Sequence, residues 1–147
     1  MTLDEIKNEW SKDCEIDDIE LDRSSLEVPK LHAKYTDMLT DKLLTLQSLN
    51  LKMSTLQKNK WLWYTGKIDQ NTLEHLGWGD DPFDGLKILK GDYKTFLDAD
   101  NDVQQMKSKI FYIETTIDYL KGCIENIKWR HQTIKNTIEW RKFMAGQ

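Results

Sequence analysis

At 147 residues, with 39% hydrophobic and 31% charged side chains, the chain is sized for one domain yet is too charged for a small compact monomer. Six tryptophans beside only two prolines point to long helices and few turns. A formal charge of −4 excludes a general polyanion-coating protein, so any contact with an anionic polymer must come from local patches.

No apolar run reaches the length of a membrane span. The opening residues Met1 to Glu5 lack the basic and apolar regions of a signal peptide, so a cytosolic chain without membrane contact is expected. Cys14 and Cys123 fit a reducing compartment and offer no disulfide framework. The charge falls into blocks. Residues 1–27 hold ten acids against three bases, residues 69–102 nine against three, and residues 103–147 four against eight. Acidic blocks suit protein partners and basic ones a polyanion, although blocks of opposite sign also attract each other between subunits.

In chain order, Thr2 and Glu5 have capping-box spacing ahead of Ile6 and Trp10, which predicts a short helix over about 3–12. Residues 13–25 are acidic and broken, and read as a surface loop or short helix. Pro29 suits the first turn of the next helix, where its missing N–H is no loss. From Pro29 to Thr65 an alternation of four and three runs through Tyr35, Leu39, Lys42, Leu46, Leu49, Met53, Leu56, Lys60 and Trp63. This heptad-like seam carries lysine at two of nine positions. It suits one arm of an intramolecular helical hairpin as well as an intermolecular coil.

The end of that helix lies in the longest acid-free window. Lys42 to Ile68 contains five lysines and no Asp or Glu, and from Lys58 to Lys67 the lysines alternate with Trp61, Trp63 and Tyr64. On one reading lysines hold phosphates while Trp63 or Tyr64 stacks on bases. On the other the aromatics are core and the lysines are solvated. Lys60, Trp63, Tyr64 and Lys67 share a helical face, whereas Lys58 and Lys60 stand about 200° apart around the axis. Gly66 is positioned as a C-cap.

Residues 66–100 are punctuated by glycines and Pro82, and form an irregular, partly mobile connector with short helices. Asp98, Asp100 and Asp102 look like the opening of a calcium loop. Val103 and Lys109 stand where that loop needs Gly and Glu, so these acids are N-caps for the helix that follows.

That last helix, about 101–143, has an unbroken seam. It runs Val103, Met106, Ile110, Ile113, Ile117, Leu120, Ile124, Ile127, His131, Ile134, Ile138 and Arg141. Isoleucine at both core positions favours assemblies larger than a parallel dimer, so Ile110, Ile113, Ile117, Leu120, Ile124, Ile127, Ile134 and Ile138 are the expected oligomerisation residues. His131 reads as a packed, hydrogen-bonded seam residue. The flanking positions Lys107, Glu114, Lys121, Lys128, Lys135 and Lys142 form a stripe of lysines with one acid, either solubilising, pairing with acids across an interface, or following a phosphate backbone.

No catalytic constellation is present. His32, His75 and His131 lie on separate elements without metal-ligand spacing, and no glycine-rich tract ends in the Gly-Lys-Ser/Thr of a phosphate loop. A non-enzymatic protein without metal or cofactor is expected. The fold class is all-α: long helices in a hairpin with a coiled-coil-like C-terminal helix. One helical domain comprises N-terminal helices (1–65), the connector (66–100) and an oligomerisation helix (101–147).

The order and spacing of several stretches resemble the UvsY family of recombination mediators of T-even-type phages, over nearly the whole chain. They are the acidic N-terminal block with Lys12 and Asp13, then Lys58 and Lys60 leading into Trp63, Tyr64, Thr65 and Gly66. Asp98, Asp100, Asp102 and Val103 open the last helix, and Phe143 to Gln147 close the chain. In the family two basic residues separated by one precede paired aromatics, the second being Lys or Arg. The resemblance implies that Lys58 and Lys60 contribute to single-stranded DNA binding, and the basic-aromatic pattern adds Trp63, Tyr64 and Lys67 as expected DNA-binding residues. Residues 69–90 depart from the family pattern, and no role is carried over to them. The resemblance further implies a homo-oligomeric ring, a hexamer or heptamer, in the cytoplasm of an infected bacterial host. It would bind DNA covered by the phage single-strand binding protein and promote loading of the UvsX recombinase, in recombination, repair and recombination-dependent replication. The competing expectation is a coiled-coil scaffold or adaptor that binds no DNA.

Overall fold

The structure, a computed structural model, describes residues 1–147. It is all-helical: α1 (Leu3–Asp13), α2 (Leu21–Leu26), α3 (Val28–Tyr64), α4 (Gln70–Leu76), a 3-10 turn (Lys90–Asp92), α5 (Tyr93–Asp98), α6 (Asn101–Lys128) and α7 (Arg130–Met144). No helix is long and apolar enough to cross a membrane. The chain divides into two compact units, one of residues 1–44 with 114–147 and the other of residues 45–113.

The first unit is built on α1. Its capping box forms as the spacing predicts: the Glu5 amide donates to Thr2 Oγ1 at 3.2 Å, and the Thr2 amide donates to Glu5 Oε2 at 2.7 Å. That cap sets the helix so that Ile6 enters a core of Tyr35 from α3 and Leu120, Cys123 and Ile127 from α6. Trp10 packs edge-on against Tyr35, their ring centroids 5.2 Å apart. The Tyr35 hydroxyl donates to Asp13 at 3.0 Å, and Lys34 bridges Glu9 and Asp13. Burial, reinforced by Asp13, pushes the Tyr35 phenol far up, so it remains a donor. Burial likewise pushes the Cys123 thiol up to about 11, leaving it an inert packing residue.

The last helix is not continuous. At Trp129 the Gln132 amide turns to the Trp129 carbonyl at 3.0 Å, a 3-10 pattern that releases the Lys128 carbonyl. His131 Nδ1 takes up that carbonyl at 2.7 Å. His131 is therefore exposed rather than packed in the seam, because its ring is used to heal the break. Arg130, at the same break, donates to the carbonyls of Asp13 and Glu15 at 2.8 and 2.7 Å and so ties down the end of α1.

The isoleucine seam faces inward. Ile113, Ile117, Leu120, Ile127 and Ile134 are buried within the chain, Ile110 and Ile124 are half-buried, and only Ile138 is exposed. Leu120, Ile124 and Ile127 pack with Ile6 of α1 and Tyr35 of α3 inside the chain, and Ile138 is the isoleucine of the seam that is open at the surface. The large apolar side chains left outside on α7 are Ile138, Trp140, Phe143 and Met144.

In the second unit α3 and α6 lie antiparallel. Leu49 lines a groove with Ser108, Lys109, Tyr112 and Ile113, while Lys60, three turns on, meets Asp100 and Asp102. Residues 66–100 contain α4, the 3-10 turn and α5, joined by irregular chain. Asp69 caps α4 through the Thr72 amide at 3.3 Å, and Gly77 ends it at φ 72°, a left-handed cap open to glycine. Asp81 accepts from the amides of Phe83 and Gly85 at 2.9 and 2.6 Å. That turn delivers Phe83 between Tyr64, Tyr93 and Phe96, with centroid separations of 5.3, 5.6 and 5.4 Å.

Candidate nucleic-acid interface

The C-terminal turns of α3 separate two sets of side chains. The helix ends in a Schellman motif: the Gly66 amide donates to the Trp63 carbonyl at 3.2 Å and the Lys67 amide to the Leu62 carbonyl at 2.8 Å, with Gly66 at φ 71°. Lys67 therefore leaves the helix instead of continuing the face of Lys60, Trp63 and Tyr64. Its ammonium instead sits 4.7 Å from the centre of the Trp61 ring. Lys58 lies three residues before Trp61, on the same outer side of α3, and is exposed. Trp61 is 47% exposed, a large area for an indole on a folded surface. The outer face thus carries two cations around one accessible aromatic ring.

The inner face is closed. Lys60 is 2% exposed, its ammonium 3.0 Å from Asp100 and 2.8 Å from Asp102. Trp78 and Trp63 cover it, at 3.9 and 4.7 Å from their ring centres. Trp63 packs on Trp78 with centroids 5.1 Å apart and donates its indole N–H to the Gly79 carbonyl at 2.7 Å. Tyr64 is buried and donates to Asp100 at 2.9 Å. Of the five residues expected to meet DNA, the structure gathers Lys60, Trp63 and Tyr64 into this interior cluster and leaves Lys58 and Lys67 outside. An ammonium enclosed by two carboxylates and two indoles has no free face for a phosphate.

Asp100 organises the cluster. Its Oδ1 caps α6 through the amides of Asp102 and Val103 at 2.9 and 3.2 Å, while Oδ2 receives Lys60 and Tyr64. Burial pushes its carboxyl up, but the hydrogen bonds from Lys60, the Val103 amide and Tyr64 outweigh burial and hold it below its usual range. A group lowered on folding contributes stability that is present above its unfolded value, about 3.9, and is lost as pH falls through the folded value. Acid unfolding followed by far-UV ellipticity should therefore steepen below about pH 4, and Asp100→Asn should flatten that limb. An unchanged limb would show that Asp100 does not govern it.

Sequence reasoning omitted Trp61, Trp78, Asp100 and Asp102 from the site. One signal pointed inward: Lys60 occupies a position of the α3 seam, all nine of whose members are buried or half-buried. The register placed Lys60 inside while the charge pattern placed it outside, and the register prevails. Nothing in the spacing pointed to Trp78, which reaches Lys60 only through the turn after α4.

Known proteins share this arrangement of helices. The sequence profile of the family described as recombination, repair and ssDNA binding protein UvsY matches residues 9–147. The recombination protein UvsY of Enterobacteria phage T4 is 26% identical over 148 residues, covering 100% of both chains. A crystal structure of the bacteriophage T4 recombination mediator protein UvsY matches with a TM-score of 0.82 at 25% identity, covering 99% of this chain and 98% of that one. A second crystal form matches with 0.82 at 24%, covering 97% and 99%, and supports the fold alone. The chain belongs to the UvsY family of recombination, repair and single-stranded DNA-binding proteins.

Proposed function

We propose that this chain is a non-enzymatic recombination mediator. It binds single-stranded DNA as a homo-oligomer and promotes loading of a UvsX-type recombinase onto DNA coated by the phage single-strand binding protein. It acts in the cytoplasm of the infected host, in recombination, repair and recombination-dependent replication. The observation that carries the reading is the outer face of α3, where Lys58 and Lys67 flank the exposed Trp61 in a chain of this family. Lysine ammonium groups attract phosphates, and an open indole stacks on any base without sequence preference. One such face meets few phosphates, so a single subunit binds weakly and with steep salt dependence. Repeating it around an oligomer raises avidity without new chemistry. The exposed Trp140, Phe143 and Met144 support assembly through α7, as a cluster of large apolar side chains favours a covered surface. No step of this mechanism requires nucleotide hydrolysis by the chain.

Quenching of tryptophan fluorescence by oligo-dT tests the reading. Lys58→Ala should weaken binding and lower the slope of log K against log salt by about 0.7 for each phosphate that Lys58 neutralises. Trp61→Ala should remove about 1–3 kcal/mol for each base it stacks while leaving the slope nearly unchanged. Absence of any DNA-dependent signal at physiological salt would favour the scaffold instead.

A further inference from the structure

We propose that Lys60 is a positioning residue for the single-stranded DNA face rather than a phosphate ligand. The proposal rests on the reading of Lys58, Trp61 and Lys67 as that face, and divides the basic pair of α3 into two roles. Lys58 meets the strand. Lys60 holds the face in shape from behind.

Three observations carry it. First, the Lys60 ammonium is fully occupied, with Asp100 and Asp102 at 3.0 and 2.8 Å and Trp78 and Trp63 over it at 3.9 and 4.7 Å. A phosphate would have to displace a carboxylate and separate two indoles to reach it. Second, two of the groups around Lys60, the Trp63 and Trp78 rings, hold the far end of the segment 65–79, whose near end is the Schellman turn of α3. At one end the Schellman turn sets Lys67, and at the other Trp78 lies against Lys60 while the Trp63 indole holds the Gly79 carbonyl at 2.7 Å. Lys67, which meets Trp61, thus lies at the start of the segment whose end packs on Lys60. Third, Asp100 joins the cluster to the start of α6, since the same carboxylate accepts from Lys60, from Tyr64 and from the first amides of that helix. The positive charge sits where the seam of α3 needs a buried residue, and the cap of α6 supplies its counter-charge.

The test compares the full-length parent with Lys58→Ala, Lys60→Arg, Lys60→Met, and a variant combining Lys60→Met with Asp100→Asn and Asp102→Asn. Each is titrated with oligo-dT over a range of salt, at a temperature where ellipticity shows it folded. The combined variant removes the Lys60 charge without stranding its carboxylates, which keeps the question open should Lys60→Met alone fail to fold. A positioning role predicts that Lys60→Arg binds like the parent and that the combined variant keeps the parent's salt slope, with affinity within about threefold. Folded Lys60→Met should lose at least about tenfold, as stranded Asp100 loosens the face. A combined variant whose slope falls as far as that of Lys58→Ala would overturn the proposal in favour of direct phosphate binding. Folded Lys60→Met binding as tightly as the parent would overturn it in favour of a purely structural residue. If Lys58→Ala and Trp61→Ala were both indistinguishable from the parent, the DNA face itself would be misplaced, and the positioning role would fall with it.

Discussion

Replacing Lys60 by Met should lower the free energy of unfolding by about 3–5 kcal/mol, among the largest effects of any single substitution outside the apolar core. The physical cause is the partner left behind. The side chain of Asp100 is only 8% exposed, and without Lys60 its charge keeps only the Tyr64 hydroxyl and the α6 amides. Asp102 is half-exposed, so water compensates it and its share of the loss is small. Adding Asp100→Asn to Lys60→Met should recover most of the stability, because a neutral amide can keep the α6 cap without a buried charge. Urea denaturation followed by ellipticity would read the first change as a midpoint lower by about 2 M, with slopes usual for a chain of this size. A shift smaller than about 0.5 M, or a double variant no better than the single one, would mean that the cluster contributes little beyond packing.

Periodicity made the helical architecture legible. The nine positions of the α3 seam from Tyr35 to Trp63 all turned inward, and the α6 seam did so as far as Ile127. What periodicity cannot say is whose surface fills the seam. An isoleucine row suits an intermolecular coil and an intramolecular core equally, and here α1 and α3 cover its stretch at Leu120, Ile124 and Ile127. The short helix α1 decides the matter by placing Ile6 and Trp10 against Tyr35, Leu120 and Ile127. The break at Trp129 was also illegible, because no proline or glycine marks it. It depends on Arg130 reaching the carbonyls of residues 13 and 15, far away in sequence. At the candidate interface, the acid-free window located the right stretch of α3 but not its inner and outer sides. Composition reports which charges lie near one another along the chain. Only the register, together with partners as distant as Asp100, separates an ammonium facing solvent from one enclosed by indoles.

The same distinction yields opposite outcomes for two variants of the C-terminal helices. Ile117→Asp should unfold the subunit, since Ile117 is 4% exposed and an unpaired carboxylate there costs several kcal/mol. Its signature is lost ellipticity, whatever the oligomeric state. Trp140→Asp with Phe143→Asp should leave ellipticity intact, because those two rings stack on each other at 5.6 Å on the surface of α7 and fill no core. If α7 joins the subunits, the native mass should fall toward that of a single chain. Affinity for a long oligo-dT should then drop by about 10²–10⁴, although Lys58, Trp61 and Lys67 are untouched, because linked faces would act one at a time. A dT oligomer short enough to span one face should bind parent and variant alike, which separates lost avidity from a damaged site. An unchanged native mass would exclude the exposed end of α7 as the interface. An equal loss on the short oligomer would mean instead that Trp140 and Phe143 touch the strand themselves.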